Sequence, residues 1–139
     1  MTRKGKICLI VVSAFLSLAV IAVIDNSVNN WWLKHKIRAA FKLTSESIDT
    51  NTLQTAAQTL FPIGTSEQNV RTYLARYFGT NSIVRWEMAE GPHVFCSFDS
   101  ENGWSYRDSF VVEFFLDGNY RVSRIESHQY GTSIYGNSH

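Results

Sequence analysis

Beyond residue 42 the chain has no lysine and a single cysteine, Cys96, and the whole sequence holds two prolines, Pro62 and Pro92. With one thiol in the region that is large enough to fold, no disulfide can form within it. Its core must hold by packing alone. The missing lysines leave residues 43–139 with six arginines against eleven acids, net −5, whereas residues 1–42 carry seven basic residues and one acid, net +6. A mildly acidic domain lacks the basic face that nucleic-acid binding needs. No linker and no internal repeat divides residues 50–128, so they read as one domain.

Several chemistries are also missing. The histidines, at 35, 93, 128 and 139, have no paired cysteines and no clustered ligands in sequence, so the expectation is no metal and no cofactor. No phosphate-cradling glycine loop and no Gly-x-Ser-x-Gly elbow is present. Asp99-Ser100-Glu101-Asn102-Gly103 faintly resembles a calcium loop, but its glycine comes one place early and no bidentate glutamate follows at the right distance. Cys96 alternates in phase with Val94 and Phe98 and reads as a small core residue, not a nucleophile. Glu87 and Glu113 fall on the polar phase of their strands and could meet as paired carboxylates; solvated face residues are the commoner reading. The sum points away from an enzyme.

What is present begins with residues 7–24, which carry no charge and follow Arg3, Lys4 and Lys6. As a helix, 18 residues span ~27 Å, near the ~30 Å of a bilayer core. Twelve of the 18 are Ile, Leu, Val or Phe, supplying about −5 kcal/mol of insertion free energy. The expectation is a transmembrane anchor of signal-anchor type at 7–24, with residues 1–6 as a cytoplasmic basic N-terminus. The C-terminal domain then lies in the periplasm or outside, on the inner (cytoplasmic) membrane. A cleaved signal peptide is the rival, with Val20-Ile21-Ala22 as its site. Cys8 opens the run and reads as a membrane-buried thiol, not an acylation site.

Residues 25–49 read as a juxtamembrane amphipathic helix and connector. Lys34, Arg38 and Lys42 make one stripe, with Leu33, Ile37, Ala40 and Phe41 opposite and Trp31 and Trp32 at head-group depth. This helix either lies on lipid or packs as the first helix of the domain. A helix near 50–60 follows, capped by Asp49 or Thr50, with Leu53, Ala56, Ala57 and Leu60 on one face. Pro62 stops it, Gly64 permits a sharp turn, and Thr65 with Gln68 suggests a capping box for a helix at 66–78. That helix groups Val70, Tyr73, Leu74 and Tyr77, and Gly79 fits a left-handed stop.

After Gly79 the period becomes two. Val84, Trp86 and Met88 alternate with Arg85 and Glu87. Val94, Cys96 and Phe98 alternate with Phe95 and Ser97, and Phe110, Val112, Phe114 and Leu116 with Val111, Glu113 and Phe115. Glu90-Gly91-Pro92 reads as a turn and Asp117-Gly118 as a hairpin, with Tyr120, Val122 and Ile125 on the return strand. The expected class is α+β, two helices and then a four-stranded antiparallel sheet (ααββββ), with residues 129–139 as a flexible tail.

The turn Ile63-Gly64-Thr65-Ser66 with Val70 and Leu74, followed by Phe110-Val111-Val112-Glu113-Phe114-Phe115-Leu116, Asp117-Gly118 and Val122-Ser123-Arg124-Ile125, resembles the SmpA/OmlA (BamE-like) family over roughly residues 50–127. The same unit looks like the repeat of the β-lactamase inhibitory proteins. This chain has an apolar segment where that family has a lipidated cysteine, and Gly79-Thr80-Asn81 where a Gly-x-Pro is usual. The resemblance implies a non-enzymatic, extracytoplasmic protein-binding module of the cell envelope, of assembly or scaffold type. An envelope inhibitor or immunity protein that blocks a toxin or hydrolase is the alternative. The expected partners are an envelope protein and, through the anchor and basic helix, membrane lipid. Partner-binding candidates are Phe95, Trp104, Tyr106, Arg107 and Phe115, with Arg85 and Glu113 interleaved; membrane-interface candidates are Trp31, Trp32, Lys34, Arg38 and Lys42.

Overall fold

A computed structural model describes residues 3–45, 47–99 and 106–133. It begins with one continuous helix, α1 (Arg3–Phe41). Residues 25–30, Asp-Asn-Ser-Val-Asn-Asn, contain neither proline nor glycine, so nothing interrupts the helix where anchor and juxtamembrane helix were expected to part. Leu33, Ile37, Ala40 and Phe41 are buried in the main core, which makes the end of α1 the first helix of the domain. Among the described residues no helix is long and apolar enough to cross a membrane. This overturns the transmembrane anchor at 7–24, and with it the signal-anchor and single-pass inner-membrane placement. The run is half of a longer helix whose other half carries Lys34, Lys36 and Arg38 and packs on protein. The side chain of Cys8 lies outside the described residues.

α1 ends by a defined stop. Lys42 turns to φ 53° and Leu43 N–H donates to the Arg38 carbonyl at 3.0 Å, the 6→1 bond of a Schellman motif. α2 (Thr50–Leu60) starts at Asp49, whose carboxylate accepts from Thr52 N–H at 2.7 Å. α3 (Glu67–Phe78) is capped by Ser66, which accepts from Asn69 N–H at 3.3 Å; Thr65, the expected cap, instead donates its hydroxyl to the Pro62 carbonyl. Gly79 has φ 78° and ψ 166°, a positive-φ conformation outside the left-handed helical well that suits glycine, and leads into a 3-10 turn at Thr80–Ser82.

The sheet is an antiparallel meander in the order β1 (Ile83–Met88), β2 (Gly91–Asp99), β3 (Tyr106–Leu116), β4 (Val122–Ser133). β4 runs through Ser133, so residues 129–133, expected to belong to a flexible tail, are strand; residues 134–139 lie outside the described residues. All three helices feed the core on one side of this sheet. Phe98 packs against Phe41 and Phe78, with ring centroids 5.7 and 4.2 Å apart, and Phe61 sits edge-on to Phe114 and Tyr73 at 5.4 Å each. Polar ties fix the layers: Tyr73 hydroxyl donates to Ala40 carbonyl at 2.8 Å, and Ser127 hydroxyl donates to Thr50 carbonyl. The turn before α3 is laced to the start of β4 by Gly64 N–H to Val122 carbonyl and Val122 N–H to Thr65 carbonyl, both 2.8 Å. Gly64, at φ 93°, allows that close pairing.

Candidate functional site

The helices leave the other face of the sheet uncovered among the described residues, and the strand register says which side chains occupy it. Opposed residues share a face. Ile83 opposes Cys96, which opposes Val112; these are buried and point to the helices. The intervening positions therefore point outward in rows. Trp86 opposes His93, His93 opposes Phe115, and Phe115 opposes Arg124. In the next row Val84, Phe95, Glu113 and Glu126 follow one another, and then Ser97, Val111 and His128.

The first row with Phe95 forms an aromatic strip. Trp86 and Phe95 lie 5.1 Å apart, His93 and Phe115 4.3 Å, and the Arg124 guanidinium sits 3.8 Å over the Phe115 ring. His93 is only 3% exposed although it faces away from the helices, whereas Trp86, on the edge strand, is 54% exposed. The second and third rows bring together charged groups. His93 Nδ1 lies 2.6 Å from Glu113 Oε1. An ionised carboxylate can only accept, so Nδ1 carries the proton of this bond. His93 Nε2 is buried without a hydrogen-bond partner among the described residues. His128 Nε2 stands 3.8 Å from Glu113 Oε2 and 3.8 Å from Glu126 Oε2.

The partner-binding candidates divide. Phe95 and Phe115 belong to the aromatic strip. Trp104 lies outside the described residues, and Tyr106 and Arg107 fall at the start of β3, where their side chains also lie outside them. Arg85 is on the helix side, not beside Phe95. It pairs with Glu87 at 2.6 Å and Glu67 at 3.4 Å, and lies 4.4 Å over the Tyr120 ring. Glu87 is therefore on the opposite face from Glu113, so these two cannot form the expected carboxylate pair. The residue directly across from Glu113 is Glu126. Val84, Trp86 and Met88, read as the apolar phase of their strand, face outward, whereas Ile125 is buried. Of the membrane-interface candidates, Trp31 and Trp32 are exposed, 5.2 Å apart, with His35 stacked on Trp31. Lys34 and Arg38 lie in α1, and Lys42 lies just past its end.

The sequence reading missed Trp86, His93, Arg124, Glu126 and His128 as members of one site. A local signal existed for two of them: Glu126-Ser127-His128 on a strand puts Glu126 and His128 on the same face. The rest needed the register. Burial pushes the Cys96 thiol well above its ordinary range, which leaves it protonated and unreactive.

Three surface clefts add no chemistry. They are bounded by Lys42 and Thr52, by Phe61 and Ile125, and by Arg71 and Thr80, and none is lined by a carboxylate, imidazole or thiol. No family model matches the chain, and no curated protein or solved structure shows significant similarity to it.

Proposed function

We propose that this chain is a non-enzymatic protein-binding module, and that it engages a partner protein through the uncovered face of its sheet. The observation that carries the reading is the strip Trp86, Phe95, Phe115 and Arg124. Aromatic residues and arginine, arranged side by side and half-exposed, are the residue types that dominate binding energy at protein interfaces. A rigid four-stranded support also presents them with little ordering cost on association. Among the described residues, the carboxylate and histidine groups of the same face line none of the three clefts. The resemblance to the SmpA/OmlA family over residues 50–127 favours the same class of function, although here the end of α1 adds a third helix to the core.

The test is a pull-down comparing the unmodified protein with the double variant Trp86→Ala/Phe115→Ala. A protein retained by the former and lost by the latter, with both variants unfolding at comparable temperature, is the expected result. Equal retention by a folded double variant sinks the proposal. The net charge of −5 on residues 43–139 favours a second reading, an inhibitor steered onto a basic enzyme. In that case the association rate drops steeply as salt rises, whereas an aromatic scaffold contact changes little.

A further inference from the structure

We infer that Glu113, Glu126 and His128 form a binding site for a first-row divalent cation, with zinc the expected occupant, on the outer face of the sheet. One donor atom from each residue lies within 4.8 Å of the other two. The register creates this cluster. Glu113 and Glu126 are direct cross-strand partners on β3 and β4, and His128 is the next outward residue of β4 after Glu126. Two carboxylates placed directly opposite repel one another, so the arrangement favours a cation between them.

The contacts around the cluster leave one oxygen of each carboxylate facing the imidazole. Each carboxylate has one oxygen engaged elsewhere. Glu113 Oε1 accepts from His93 Nδ1 at 2.6 Å, and Glu126 Oε1 accepts from Arg124 Nε at 3.1 Å. The remaining oxygens, Glu113 Oε2 and Glu126 Oε2, both point to His128 Nε2, each at 3.8 Å. That separation is too long for a hydrogen bond. Ligands on a tetrahedral zinc at ~2.0–2.1 Å stand roughly 3.4 Å apart; the two separations from His128 exceed that by a few tenths of an ångström, and the two carboxylates stand within 4.8 Å of each other, so closure asks for side-chain adjustment and no movement of the strands.

His93 is the second observation. It is 3% exposed, aimed at Glu113, and has no other hydrogen-bond partner among the described residues. A buried imidazole that locks one oxygen of a carboxylate is how proteins orient a ligand for a metal. It is the one imidazole in the row of Trp86, Phe115 and Arg124, and it turns its Nδ1 to the Glu113 carboxylate of the next row. One imidazole and two carboxylates suit zinc and its neighbours better than calcium or magnesium, which favour all-oxygen shells. Three protein ligands leave the solvent side for a fourth ligand, a water or a side chain from a bound partner.

The probe is Co²⁺ followed by its visible absorption, then Zn²⁺ by displacement, on the full chain. One equivalent is expected to bind. His128→Ala and Glu126→Gln should each weaken binding by more than tenfold, and His93→Phe should weaken it roughly 10–100-fold through the loss of the oriented carboxylate. A variant with a shifted unfolding temperature is replaced as a readout by imidazole nitrogen resonances of the unmodified protein, where zinc should move His128 and leave His35 unchanged. Absence of stoichiometric binding, binding unaffected by the His128 and Glu126 substitutions, or movement of His35 alone overturns the inference.

Discussion

Asp49 stabilises α2 only while it is charged. Its carboxylate accepts from the Thr52 N–H at 2.7 Å and from the Thr52 hydroxyl at 2.9 Å. The backbone bond foremost, then the hydroxyl, holds its carboxyl below the usual range. A carboxyl with a lowered folded pKa stabilises fully above its unfolded value and loses that effect as pH falls through the folded one. Asp49→Ala should therefore lower the unfolding temperature by a constant amount between pH 5 and pH 7, roughly one to three units above the unfolded carboxyl value, and by progressively less in more acidic solution. Thermal unfolding of both proteins across that range checks this. A difference that persists undiminished in strong acid refutes the cap as its source. This cap was readable in advance because Asp49 stands immediately before an apolar helical pattern. The next one was harder to read. Thr65 and Ser66 are both competent caps, and only the bond from the Thr65 hydroxyl to Pro62 leaves Ser66 for Asn69.

At the level of elements, the hairpin joining β3 and β4 carries its own fastening. Asp117 Oδ1 accepts from Asn119 N–H at 2.8 Å and Arg121 N–H at 3.0 Å, while the backbone closes from Asp117 N–H to Arg121 carbonyl at 2.8 Å. The turn admits Tyr120 at φ 57°, a conformation a bulky residue rarely takes. Two amide bonds to one carboxylate are worth about 1–3 kcal/mol together at an exposed turn. Asp117→Ala should cost about that much in urea unfolding with an unchanged denaturant slope, and a loss under ~0.5 kcal/mol would show that the strands set the turn. Asp117-Gly118 announced this hairpin in sequence, and the period of two announced β1, β2 and β3; β4 breaks it, since Val122 and Ile125, three apart, are both buried and the strand runs on to Ser133. What alternation could not decide was the facing of β1. Both faces of this sheet are apolar in part, so Val84, Trp86 and Met88 had two plausible sides. The answer lay in α3, where Glu67 meets Arg85 and draws the polar phase of β1 toward the helices. The site depends on that choice, since it brings Trp86 to the row of His93 and Phe115 and removes Glu87 from the reach of Glu113.

The whole molecule is built from two unlike parts of one helix and a compact remainder. Among the described residues the main core contains none before Leu33, and the described side chains between Ile10 and Ile24 are exposed. From residue 33 onward the helix is integral. Leu33, Ile37 and Phe41 are at most 8% exposed, and burying three such side chains contributes roughly 5–9 kcal/mol, comparable with the total of about 5–15 kcal/mol that holds a domain folded. Two truncations should therefore behave oppositely. A fragment of residues 28–139 should unfold cooperatively at nearly the temperature of the full chain. A fragment of residues 43–139 should have no cooperative transition, because Phe98 loses its partner Phe41 and Tyr73 its acceptor at Ala40. Circular dichroism melts of both fragments decide the matter. Cooperative unfolding of 43–139 would mean that α2, α3 and the sheet form a sufficient core, with the end of α1 only resting on it. Failure of 28–139 would mean that residues before 28 stabilise the fold by contacts beyond that core.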